Sequence, residues 1–169
     1  MKNKILLLAV LFASTATFAQ KKNVTSAIMS MRKDKLIKAE GFINKAIKHE
    51  DTKESAKTWV NRALIYAAMS TSKKEAVMEH VKGKDLISEV VTSIENTNKF
   101  DKKGKYRREI VKIVNPMYIN ASNNGIKMYN SQNYAEALQL FTASQKFGNM
   151  LGITDSAGAF NSALSAQKI

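Results

Sequence analysis

Apolar residues recur along this chain at three- and four-residue steps, and no stretch shows sustained two-residue alternation rich in β-branched side chains. That spacing lines up apolar positions along one side of a helix, whereas a half-buried strand needs a period of two. The pattern predicts helices throughout, about six or seven of them. Three polar stretches interrupt it and read as connections: Lys48 to Ser55, Thr71 to Lys84, and Asn98 to Lys105, the last holding Gly104, a natural helix stop. Asn133-x-x-Glu136 and Ser72-x-x-Glu75 have the form of capping boxes, in which side chains satisfy the free amides of a first helical turn. Asp155 stands where it would cap a closing helix, and the single proline, Pro116, predicts a helix start after a break.

The N-terminus breaks this pattern. Lys2 and Lys4 precede an apolar run from Ile5 to Ala13, followed by the small-residue sequence Thr17-Phe18-Ala19. The run is too short to span a bilayer and has no polar face with which to join a folded core, so residues 1–19 read as a cleaved signal peptide. The reading places the mature protein in the periplasm or outside the cell. No later segment has the roughly 18 uninterrupted apolar residues of a membrane span, and the chain has no cysteine. A disulfide framework, a thiolate metal site, a cysteine nucleophile and a lipid anchor on an N-terminal cysteine are thereby excluded.

Residues 20–169 then form one predicted domain, and its short helices contain repeated spacings. Gly125, Met128, Tyr134 and the run Ala137-x-x-x-Phe141-x-x-Ser144 fall within one unit, 118–151. Trp59-x-x-x-Ala63-x-x-Tyr66 opens a second unit, 56–97, whose second helix, with Ile87-x-x-x-Val91-x-x-Ile94, is displaced by an insertion. Ala39-x-x-x-Ile43-x-x-Ala46 belongs to a more degenerate unit, 20–53, with Val24 to Arg32 as its partner helix. A terminal helix, 155–169, carries Phe160, Ala163 and Leu164. These spacings resemble the tetratricopeptide repeat (TPR) family, in which small residues let paired helices approach and large ones fill the space between pairs. The resemblance implies an all-α fold, an α-α superhelix or solenoid of antiparallel helix pairs. Trp59 and Tyr66 read as core. The last helix is either a solvated cap, with Ser162, Ser165, Gln167 and Lys168, or the start of a further repeat; the sequence leaves both open.

Members of that family bind an extended peptide or a partner helix on the concave face made by the first helix of each pair. Asn61, Asn123 and Asn161 each stand two residues before a small residue, Ala63, Gly125 and Ala163. By resemblance, an asparagine there lines the groove and hydrogen-bonds the ligand backbone, a role that suits an amide because it offers two donors and an acceptor. Leu64, Ile126 and Tyr129 are the main groove neighbours implied, with Lys57, Ser122, Phe160 and Leu164 beside them.

Charge adds a second candidate. The chain has a net charge of +13, and its densest basic run is Lys102, Lys103, Lys105, Arg107 and Arg108, with Phe100 and Tyr106 nearby. Such a run attracts acidic polymer or anionic lipid; for an exported protein nucleic acid is disfavoured. No cofactor, metal or catalytic residue is expected. His49 and His80 have no second ligand at metal spacing and read as solvent-exposed, the carboxylates lie scattered among lysines as on exposed helix faces, and no phosphate loop, nucleophile elbow or zincin motif occurs.

Overall fold

A computed structural model describes residues 22–169; the segment assigned to a signal peptide, 1–19, lies outside them. The described residues form eight helices and no strand: α1 (residues 22–32), α2 (Leu36–Ala46), α3 (Ala56–Ser70), α4 (Glu75–Val81), α5 (Leu86–Phe100), α6 (Arg107–Asn130), α7 (Tyr134–Leu151) and α8 (Ser156–Ala166). The chain divides into two compact units, meeting in sequence between Tyr106 and Arg107.

The first unit packs α2 and α5 against α3. Ala39, Ile43 and Ala46 are fully buried, as their spacing predicts. They share a core with Val24 and Ala27 of α1, Ile65 and Met69 of α3, and Val77 of α4. On α5 the register differs from expectation. Ile94 is buried, but Ile87 and Val91 are half-buried, and the buried row is Val90, Ser93, Ile94 and Thr97. Ser93 and Thr97 tolerate burial because each donates its hydroxyl to the carbonyl one turn earlier, at 2.6 and 2.8 Å.

The structure corrects two expectations about the stretch Thr71 to Lys84. It is not a plain connection, since it contains the seven-residue helix α4. The N-cap of α4 is Lys74, which makes no side-chain cap, and Ser72 accepts from the Lys74 N–H at 3.3 Å, so Ser72-x-x-Glu75 is not a capping box. The motif match failed because helix entry comes two residues later than the serine would require.

The second unit is built on the antiparallel pair α6 and α7, with α8 packed on α7. Pro116 does not start a helix; it lies inside the 24-residue α6. It sits on the exposed side, while Ile113, Val114 and Met117 around it are buried, so packing of the opposite face holds the helix together across the missing N–H. Gly125 is buried, and a Cβ there would stand 2.7 Å from Phe141 Cε1, closer than carbon atoms tolerate. The glycine is thus the notch into which the Phe141 ring seats. The α6–α7 turn closes through Gln132 at a φ of 62°, with the Asn133 N–H reaching the Met128 carbonyl at 2.9 Å. Asn133 caps α7 by accepting from the Glu136 N–H at 3.4 Å, and its amide donates to the Glu136 carboxylate at 2.7 Å. Asp155 caps α8 as expected, accepting from the Gly158 N–H at 2.9 Å.

Candidate functional site

The buried row of α6, from Ile110 through Val114, Met117 and Ala121 to Gly125, leaves the opposite side of the helix bare. Steps of three and four residues along that side run through Asn115, Ile119, Asn123, Ile126 and Asn130, all exposed. Ile119 and Ile126 are 46% and 47% exposed, which is unusual for two isoleucines seven residues apart on one helix face. Of the sequence-predicted groove residues, Asn123 and Ile126 thus present themselves to solvent on one face. Tyr129, half-buried, stacks edge-on against Tyr134 with ring centroids 5.3 Å apart. Ser122 is turned toward α7, where its hydroxyl donates to Ser144 at 3.0 Å. Asn115 and Ile119 were missed; the seven-residue spacing of Ile119 and Ile126 was the available signal.

The other two asparagines are placed differently. Asn61, in the first unit, donates its amide to the Lys57 carbonyl of its own helix at 2.7 Å; Leu64, one turn on, is half-buried. Asn161, on α8, is half-buried, and Phe160 beside it is 64% exposed. Ala163, expected as the small residue of close helix contact, is exposed. The residues of α8 that bury themselves are Gly158 and Ser165, and Gln145 of α7 donates to Ser162 at 2.7 Å, so the contact register of α8 is offset from the motif. Lys102, Lys103, Lys105, Arg107 and Arg108 are all exposed, and none is in an ion pair among the described residues.

The first unit holds a polar network that sequence reading did not foresee. Glu40, expected on an exposed face, is 7% exposed. Its carboxylate receives the Tyr66 hydroxyl at 3.1 Å, the Lys84 ammonium at 3.2 Å and His80 Nε2 at 2.5 Å. His80 is accordingly half-buried and bonded rather than free in solvent, because the inserted α4 lays it over α2. Asn44 donates to the Tyr66 hydroxyl at 2.9 Å and accepts from Arg62 Nε at 3.1 Å. Arg62, 6% exposed, continues to Ser93 at 2.8 Å and to the Glu89 carboxylate, its guanidinium lying 4.5 Å from the Tyr66 ring centre. Tyr66 is core as expected; Trp59 is half-buried, with its indole N–H on the Lys53 carbonyl.

Burial pushes the Glu40 carboxyl up, but the donors His80, Lys84 and Tyr66 outweigh it, and the group stays below the ordinary carboxylate range. Burial raises the Tyr66 phenol. The network is saturated with internal partners, which suits a structural clasp between α2, α3, α4 and α5. Among the described residues no cluster of histidine and carboxylate side chains is arranged to hold a metal ion, and no helix is long and apolar enough to cross a membrane. No protein-family model, curated protein or solved structure matches the chain significantly.

Proposed function

We propose that this is an exported TPR-like interaction module that takes up an extended peptide or partner helix along its repeat face. Export rests on the leader-like residues 1–19, and the repeat reading on the spacings around Trp59, Gly125 and Phe141. The observation that carries the binding reading is the bare face of α6, where Asn115, Asn123 and Asn130 alternate with exposed Ile119 and Ile126. Amides there can pair with a peptide backbone while the isoleucines bury apolar side chains of the ligand, the combination that peptide grooves use. Through the family resemblance Tyr129 and Asn161 join this reading within the second unit, and Asn61 and Leu64 are the corresponding candidates within the first. The module needs no cofactor and performs no chemistry of its own.

A second reading is favoured by the exposed basic side chains Lys102, Lys103, Lys105, Arg107 and Arg108: attachment to an acidic envelope polymer or anionic membrane.

Panning a random peptide library on the mature protein, then comparing Asn123→Ala/Ile126→Ser with Lys102→Gln/Lys103→Gln/Lys105→Gln at two salt concentrations, separates them. Groove binding is expected to survive salt and to fall about tenfold or more in the first variant. Peptides that bind only at low salt and respond only to the lysine changes would overturn the groove in favour of charge-driven attachment.

A further inference from the structure

The bare strip of α6 does not end at Asn115. Steps of three and four residues lead from it toward the start of the helix through Lys112 and Arg108, both exposed and on the same side as Ile119 and Ile126. At about 1.5 Å per residue, one strip about 27 Å long carries cations at one end and the two isoleucines toward the other. Neither Arg108 nor Lys112 is in an ion pair among the described residues. The second unit has little with which to neutralise them, since its three carboxylates are Glu109, Glu136 and Asp155. Glu109 is half-buried, Glu136 is held by Asn133 beside the opposite end of α6, and Asp155 is occupied by Ser144 and the Gly158 N–H. Charge complementarity therefore asks for an anionic ligand at the Arg108 end alone.

The isoleucines decide the ligand's conformation. Ile119 and Ile126 are two helical turns, about 10.5 Å, apart. A partner helix repeats its own apolar side chains at that interval and meets both isoleucines in one register. Same-side residues of an extended strand recur at about 6.7 Å, so a strand that fits one isoleucine misses the other.

We infer that α6 docks an amphipathic helix of a partner protein, with apolar side chains seven residues apart over Ile119 and Ile126 and an acidic end over Lys112 and Arg108. This rests on the α6 face being the binding surface, and it adds the partner's conformation, charge and direction. Asn115 and Asn123 then face polar side chains of that helix, whose backbone groups bond internally.

The test titrates the mature protein with synthetic helical peptides of about 20 residues, followed by fluorescence anisotropy at physiological salt. One carries leucines at seven-residue spacing and ends in glutamates, a second has lysines in place of the glutamates, and a third keeps the glutamates but has serine for every leucine. The leucine peptide ending in glutamates should bind about tenfold or more tightly than either of the others. A spin label at its acidic end should broaden the NMR signals of Arg108 and Lys112 and spare Asn130. Arg108→Gln/Lys112→Gln should bring the two leucine peptides within about twofold of each other, and Ile119→Ser/Ile126→Ser should abolish binding of both. Equal binding of the two leucine peptides to wild type, lost in the isoleucine variant, would overturn the acidic partner and keep the α6 face. Equal binding of both glutamate peptides would overturn the helix in favour of charge-driven attachment. Binding that survives the isoleucine changes would take the face itself down with the proposal. Binding of none would overturn the docked helix, while the library panning decides separately whether the face takes an extended peptide.

Discussion

The two units join their helices by opposite means. In the first, α3 meets its neighbours through a chain of polar side chains running from Lys84 and His80 through Glu40, Tyr66, Asn44 and Arg62 to Ser93 and Glu89. In the second, α6 meets α7 at a close approach, with Gly125 receiving the Phe141 ring beside a single Ser122–Ser144 hydrogen bond. A polar clasp tolerates distance because long side chains span it, and the first unit accommodates an inserted helix. A glycine notch demands contact at a single register. One spacing of large and small residues can therefore be closed by either kind of interface, and the polar kind is invisible to a hydrophobic pattern.

The largest effect is expected at Arg62. Arg62→Met takes the donor from the Asn44 carbonyl, the Ser93 hydroxyl and the partly exposed Glu89 carboxylate, and should cost about 2–3 kcal/mol, read as lost hydrogen-exchange protection in α3 and α5. Adding Glu89→Leu should return only a small part of that loss, because the Glu89 carboxylate is open to water. A single variant as protected as wild type would show that the clasp contributes nothing.

A smaller effect is expected at the notch. Gly125→Ala gains about 1 kcal/mol of helix propensity but drives a methyl into the buried Phe141 ring, where overpacking costs about 1–3 kcal/mol. The net expectation is destabilisation of about 1 kcal/mol, seen as faster exchange in α6 and α7, and reversed by Phe141→Leu in the same chain. A Gly125→Ala variant more stable than wild type would mean that the ring moves freely.

The smallest effect concerns the clasp again, through its titration. Glu40 is held below its ordinary value in the fold, so its contribution is present in full above the unfolded value of 4.5 and is lost as pH falls through the depressed folded one. Denaturant midpoints measured from neutral pH downward should therefore decline more steeply below about pH 5 in wild type than in Glu40→Gln. Parallel curves would remove Glu40 from the account.

Much of this was legible in the chain. The Ala39, Ile43, Ala46 row, the packing positions of Gly125 and Phe141 and the caps at Asn133 and Asp155 follow from spacing and local chemistry. The failures share a cause. Pro116, α4, the register of α5 and the exposure of Ala163 are each decided by what the opposite side of the helix packs against, which a local motif does not contain. His80 reads as exposed from the polar stretch around it and Glu40 from the neighbouring lysines, and the two stand 40 residues apart. Their pairing exists only once the insertion folds back. On the candidate face, Asn123 and Ile126 were identified by motif, whereas Asn115 and Ile119 became visible once the buried side of α6 was known.

The seat of Phe141 in Gly125 also has a mechanical consequence. Sliding α7 by one turn would drive the ring onto Ala121 or Tyr129, so the seat opposes slippage of the pair. At its far end α7 grips α8 through Gln145 on Ser162 and Ser144 on Asp155. A pull applied to Ile119 or Ile126 would thus be passed toward the last helix through the Phe141 seat and these two hydrogen bonds.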